Sequence, residues 1–152
     1  MRKKRAMIIG AGKSGKSTIA GWLDGTGTKG RKLANIRYGP HSIDVPGAYL
    51  ECPWMHCHLT GSSGEAFCVL MLADQSRCRE VYPPGFAAAF RVPVIGVVTN
   101  SDRNPAKRTF CEQQLKRAGV LPPYYYITGE EESFRELKEV IMNYDRWERR
   151  EM

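Results

Sequence analysis

No run in the sequence approaches the roughly 20 apolar residues that a bilayer-spanning helix requires. The basic start Met1-Arg2-Lys3-Lys4-Arg5 is followed by only Ala6-Met7-Ile8-Ile9 before glycines intervene, too short for the apolar part of a signal peptide. The expected location is therefore the cytosol, with no membrane partner. The cysteines lack a pairing pattern: they are odd in number, Cys52, Cys57, Cys68, Cys78 and Cys111, at irregular spacing. That excludes a disulfide framework and fits reduced thiols. Repeats, linkers and low-complexity tracts are absent, so residues 1–152 read as one domain around one core. Acidic side chains are outnumbered 16 to 23 by Lys and Arg, a net charge of +7. Such a balance suits an anionic partner. The basic segments Arg2–Arg5 and Lys29–Lys32 accompany no nucleic-acid module and no interleaved aromatics. A phosphorylated small ligand is thus the simpler expectation than nucleic acid.

Apolar residues at 42% and charged residues at 26% are ordinary globular values. Short apolar strands alternate with longer amphipathic stretches, which predicts an α/β fold with βαβ units around a mostly parallel sheet. The spacing predicts strands over Arg5–Ile9, Ala66–Leu72, Val92–Val98 and Pro123–Ile127, with shorter ones near Ala34–Tyr38 and His41–Asp44. Helices are expected over Ser17–Leu23, Tyr49–Leu59, Pro84–Phe90, Pro105–Ala118 and Glu131–Glu148. In the last of these, Phe134, Leu137, Val140, Ile141, Tyr144 and Trp147 share one face, which reads as packing on the sheet. Residues Gly25–Lys32 carry no periodicity and read as a surface loop.

Gly10-Ala11-Gly12-Lys13-Ser14-Gly15-Lys16-Ser17 fits G-x-x-x-x-G-K-[ST] at every fixed position, between a strand and a helix. Gly10, Gly12 and Gly15 allow backbone turns that a side chain would block, so successive N–H groups face inward onto a phosphate. Lys16 reaches the outer phosphates as a point charge, and the Ser17 hydroxyl ligates Mg²⁺. Ser14 and Thr18 complete the expected phosphate set. Further on, Asp44-Val45-Pro46-Gly47 ends a short strand, where Asp44 would hold the Mg²⁺ and the Gly47 N–H would meet a γ-phosphate. Thr99, Asn100 and Asp102 stand at the C-terminal end of a strand, the edge where open α/β sheets bind ligands. Asp102 there would accept hydrogen bonds from the N1–H and 2-amino group of guanine; the alternative is an N-cap for the next helix. Lys13, inside the phosphate loop, is a candidate catalytic cation beside Lys16, or else a solvated lysine.

These pieces in this order resemble the Ras-like small GTPases, and more closely the EutP/PduV family of bacterial microcompartment systems for ethanolamine and propanediol utilisation. The residues that carry the likeness are Ile8–Ser17, Ile43–Glu51, Tyr82-Pro83-Pro84-Gly85-Phe86-Ala87, Pro93–Thr99 and Thr128-Gly129-Glu130. The resemblance implies a three-layer P-loop NTPase (Ras-like) fold with about six strands. It also implies binding of GTP or ATP with Mg²⁺, and association with a microcompartment shell. For part of the family it implies phosphoryl transfer to acetate. Three functions share the site: a slow NTPase or nucleotide switch, an ATP-dependent acetate kinase, and a non-catalytic nucleotide-binding adaptor.

The chain departs from the family pattern at several positions. Relatives commonly carry lysine where Asn100 stands, and Tyr125-Tyr126 is expected where they read Ser-Ala. Leu33 takes the place of the switch threonine. Ala48 stands where relatives often have glutamate, and an alanine orients no water, so slow hydrolysis is expected. Cys52-Pro53-Trp54-Met55-His56-Cys57-His58 gathers thiols and imidazoles, and Cys52, His56 and Cys57 could share one side of a helix, but a zinc site usually takes four ligands or three with a water, and no metal is expected here.

Overall fold

The computed structural model describes residues 5–11, 15–25, 36–77 and 79–151, the side chains of residues 53 and 144–151 excepted. At its centre lies β1 (Arg5–Ile9), whose Ala6, Met7, Ile8 and Ile9 are all fully buried. An uninterrupted apolar run of this kind is what a parallel strand covered on both faces requires. Next to it is β4 (Ala66–Asp74), equally buried until its last residue. The sheet has six strands in the order β2-β3-β1-β4-β5-β6, completed by β2 (Arg37–Tyr38), β3 (Ser42–Asp44), β5 (Val94–Thr99) and β6 (Tyr125–Ile127). All pairs are parallel except β2 with β3.

Alternate residues of the central strands feed two cores. Met7, Ile9, Val69 and Met71 pack with Leu50, Leu59, Phe86, Cys111 and Leu115 on one face. Ala6, Ile8, Leu70 and Leu72 pack on the other with Ile19 and Ala20 of α1 (Lys16–Asp24) and with Phe134, Leu137 and Ile141. The last two belong to α5 (Arg135–Glu151), so its predicted apolar face lies on the sheet as expected; the side chains of Tyr144 and Trp147 fall outside the description.

Several expectations change in detail; the helices expected from Pro105 and Glu131 each begin with a 3₁₀ turn, Pro105–Lys107 and Glu131–Phe134, and the strands expected from Val92 and Pro123 begin at Val94 and Tyr125. The helix expected over Tyr49–Leu59 is two helices, α2 (Gly47–Glu51) and α3 (His56–Ser63), joined by a 3₁₀ turn over Pro53–Met55. Proline removes a helical N–H donor and drives the preceding residue out of the helical region. Cys52 is accordingly extended, at φ −108° and ψ 107°. The stretch Pro84–Phe90 forms only a 3₁₀ turn, Phe86–Ala89, entered through Gly85 at φ 72°. It is tied to the end of α4 (Arg108–Arg117) by Gly85 N–H to the Arg117 carbonyl at 2.9 Å and Ala87 N–H to that of Ala118 at 2.8 Å. The strand ending at Val98 in the sequence pattern runs on to Thr99, which places Asp74, Thr99 and Ile127 level at the sheet's C-terminal edge.

Candidate functional site

β1 stops at Ile9, and α1 starts at Lys16. Gly15 caps that helix in the left-handed region, φ 96° and ψ 9°, which an L side chain rarely adopts. This turn aims Lys16 back along the loop: its Nζ donates to the Ala11 carbonyl at 2.8 Å, and the residue is 7% exposed. The register Ile8 opposite Asp44 carries β3 alongside, so Asp44 arrives beside the helix start. There the Ser17 hydroxyl donates to Asp44 Oδ2 at 3.1 Å. Asp44 Oδ1 is buried with no hydrogen-bond partner among the described residues.

Burial dominates the electrostatics. It pushes the Lys16 ammonium below its ordinary value, against the pull of the Asp44 and Glu51 carboxylates. It pushes the Asp44 carboxyl up, opposed by the Ser17 hydroxyl and by the charges of Lys16 and Arg37. A desolvated cation and anion side by side are costly unless further partners complete them. A hydroxyl and a carboxylate oxygen with an open lone pair make the hard oxygen set that Mg²⁺ prefers, with the rest supplied by phosphates and water. The residues present therefore fit the ion.

Of the other predicted residues, Gly10 is buried at the strand end, Thr18 is half-buried on α1, and Gly47 opens α2. Ala48, the next residue, is exposed. Gly12, Lys13, Ser14 and Leu33 lie outside the described residues. Thr99 closes β5 with its methyl against Gly15: a Cβ built on that glycine would lie 3.7 Å from Thr99 Cγ2. Asn100 adopts φ 52°, and its Nδ2 donates to Asp74 Oδ1 at 2.8 Å, so it turns toward the end of β4. Asp102 is exposed at the same edge, in a turn held by Ser101 N–H to the Ile127 carbonyl at 3.0 Å. Tyr125 and Tyr126 lie inside β6, and the loop that leaves this strand begins at Thr128.

Sequence reasoning missed the residue that shapes this turn. Gln75 is fully buried and its Nε2 donates to the carbonyls of Ser101 (3.1 Å) and Arg103 (2.7 Å), bracketing Asp102. Its only sequence signal was a polar residue directly after a buried strand. The thiol-imidazole segment is used for packing: His56 Nε2 donates to the Leu50 carbonyl at 2.8 Å, and its ring lies 4.9 Å from that of Phe86.

Similarity to known proteins follows the same outline. Propanediol utilization protein PduV of Citrobacter freundii is 30% identical over 136 residues, covering 86% of this chain and 91% of its own length. A Salmonella typhimurium protein named "Probable acetate kinase EutP" is 25% identical over 141 residues, covering 91% and 89%. Among solved structures, Era in complex with MgGDPNP and a segment of 16S ribosomal RNA superposes with a TM-score of 0.65 at 20% identity. That match takes in 95% of this chain and 57% of the Era chain, and it establishes the P-loop GTPase fold. Residues 3–143 match the family described as "Ethanolamine utilisation - propanediol utilisation", and the chain belongs to this PduV-EutP family.

Proposed function

We propose that the chain binds a purine nucleoside triphosphate with Mg²⁺ at the sheet edge and acts as a slow NTPase or nucleotide switch, associated with a microcompartment for ethanolamine- or propanediol-type metabolism. The observation that carries this reading is the meeting of Ser17 and Asp44 at 3.1 Å, with Asp44 Oδ1 left open and Lys16 beside them. The likeness to Era, bound there to MgGDPNP, supports the same ligand class.

Ser17 and Asp44 would hold the Mg²⁺, which neutralises charge on the outer phosphates when bound. The Lys16 ammonium exchanges the Ala11 carbonyl for phosphate oxygens. The Gly47 N–H, at the start of α2, is the group that meets the γ-phosphate. Gly10 and Gly15, with Gly12, Lys13 and Ser14 between them, wrap the phosphates, and Thr18 and Thr99 back that loop. Asp102 reads the base, its backbone held from both sides by Gln75, while Asn100 contributes to the loop and not to a cover over the base. The exposed methyl of Ala48 orients no water, so hydrolysis is slow.

A second reading, phosphoryl transfer to acetate, is favoured by one observation: the 25% identity to a protein named a probable acetate kinase. Titration calorimetry of GTP, ATP, GDP and ADP with Mg²⁺, on the parent and on Lys16→Ala, tests the main reading. Guanine preference lost in Lys16→Ala supports the switch. ATP preference, with acyl phosphate formed from acetate and trapped as a hydroxamate, supports the kinase. Absence of binding leaves a docking adaptor without nucleotide chemistry.

A further inference from the structure

Beside Ala11, at the start of the phosphate loop, a small cleft opens toward the segment that follows β4; Asp74, Arg77, Arg79 and Val81 line its other wall. Arg79 points its guanidinium at α2, where Nη2 lies 3.6 Å from Glu51 Oε1. The same Glu51 carboxylate is close enough to Lys16 to pull on its ammonium. One acidic side chain thus acts on both cations, from the end of the short helix α2 that Gly47 begins.

The backbone that carries Arg79 is held from beneath. Gln114 of α4 is 5% exposed; its Nε2 donates to the Arg79 carbonyl at 3.0 Å, and its Oε1 accepts from the Val81 N–H at 2.8 Å. This buried amide brackets Glu80 and anchors the Arg79 carbonyl to α4, so the backbone from which the Arg79 side chain departs is tied down on its C-terminal side. The ion pair with Glu51 does not explain the arrangement. Both partners are largely exposed, at 58% and 39%, and 3.6 Å is too long for a hydrogen bond. Pairs of that kind contribute little to stability. A planar guanidinium with a fixed root, a loose partner and a phosphate loop across the cleft is built to receive a stronger anion.

We propose that Arg79 is a triphosphate-sensing residue: on binding, its guanidinium leaves Glu51 and donates to γ-phosphate oxygens, with Gln114 as its positioning residue. The inference rests on the nucleotide reading above and adds a consequence to it. Glu51 ends α2, so its release when Arg79 departs gives that helix a way to report the γ-phosphate. A diphosphate offers no oxygen at that position and leaves the Arg79–Glu51 pair in place.

The test measures affinities for a non-hydrolysable triphosphate and for the diphosphate, each with Mg²⁺, on four proteins: the parent, Lys16→Ala, Arg79→Ala and Glu51→Gln. A hydrogen bond to a charged group contributes about 1.5–3 kcal/mol, so Arg79→Ala is expected to lose triphosphate affinity about 10- to 100-fold. Its diphosphate affinity stays within about twofold, because diphosphate never reaches the guanidinium. Glu51→Gln, which frees Arg79 in advance, gains triphosphate affinity. Arg79 is exposed, so its removal leaves the fold intact, which an unchanged melting temperature verifies. An Arg79→Ala protein with the parent's triphosphate-to-diphosphate ratio overturns the assignment while leaving the nucleotide site standing. A parent that binds neither ligand, or a Lys16→Ala protein that binds both as the parent does, overturns the nucleotide reading and this inference with it.

Discussion

Ser17 and Asp44, separated by 27 positions in the chain, meet through a 3.1 Å hydrogen bond at the end of the central strands. The contact joins the first turn of α1 to the last residue of β3, so the two elements that would share a metal ion are already in register. Burial raises the carboxyl of Asp44 and leaves its Oδ1 without a partner among the described residues. The fold thus spends stability to keep an anion at a place where only a cation makes it favourable.

Replacing that carboxylate separates the two roles. Asp44→Asn keeps the shape and the contact to Ser17 but removes the buried charge. The nucleotide-free variant is expected to match the parent's stability or exceed it by about 1 kcal/mol, since a desolvated charge is gone. Its affinity for a Mg²⁺-triphosphate falls about 10-fold or more, while affinity measured in excess EDTA is unchanged. Calorimetry in both buffers, alongside thermal melts, decides the matter. A variant that binds Mg²⁺-nucleotide as tightly as the parent removes Asp44 from the metal site.

Gly15 tests the loop through its backbone. A methyl group at this position would meet only ordinary contacts, the nearest at 3.7 Å, so space is not the constraint. The constraint is φ, 96°, which costs an L residue about 1–2 kcal/mol. Gly15→Ala is expected to lower unfolding free energy by that amount in urea and to weaken nucleotide binding, since a relaxed turn redirects Lys16. Unchanged stability would show that the loop tolerates the side chain.

Much of this was legible from composition and spacing. Residues 6–9 of β1 are an unbroken apolar run that leads straight into a glycine loop, the pattern of a parallel strand buried on both faces. The glycines around Lys16 announce a backbone turn that only they allow. Pairings across the sheet were less accessible. The motif order predicts that Ser17 and Asp44 serve one Mg²⁺, but their direct hydrogen bond depends on the register of β3 against β1, which a two-face apolar pattern does not encode. Gln75 and Gln114 were invisible for a related reason. Each satisfies backbone groups far away in sequence, and nothing local marks a glutamine that will be buried. The split at Pro53 was readable from proline chemistry alone, yet the apolar spacing of Tyr49 to Leu59 concealed it.

Tyr82 supplies a pH prediction. It is 3% exposed, its hydroxyl donates to the Leu72 carbonyl at 2.5 Å, and burial pushes its phenol well above the ordinary 10.0. Below pH 10 the folded and unfolded chains both hold this proton, so its contribution is intact. Above pH 10 the unfolded chain releases the proton and the folded one retains it, so stability falls by about 1.4 kcal/mol per pH unit from this group. Tyr82→Phe is expected to cost about 1 kcal/mol at neutral pH through the lost hydrogen bond. The same variant should lose stability less steeply than the parent between pH 10 and 11. Urea melts across that range read the difference; parallel slopes would mean that the phenol is not protected.

On the proposed reading, base selectivity would rest on Asp102, whose carboxylate stands exposed while Gln75 fixes the backbone on either side. A carboxylate accepts from both N1–H and the 2-amino group of guanine. An amide in its place accepts from N1–H but presents a donor, which suits the 2-oxo group of xanthine. Asp102→Asn is therefore expected to lose GTP affinity by at least about 100-fold, from two charge-assisted hydrogen bonds of about 1.5–3 kcal/mol each, and to gain affinity for XTP. ATP, which has neither the N1 proton nor the 2-amino group, is indifferent to the change. Competition of the three triphosphates against a fluorescent nucleotide reads all of this at once. A GTP-to-XTP switch makes Asp102 the base reader. An unchanged profile with ATP preferred moves base recognition elsewhere on the edge and, with it, favours the kinase over the switch.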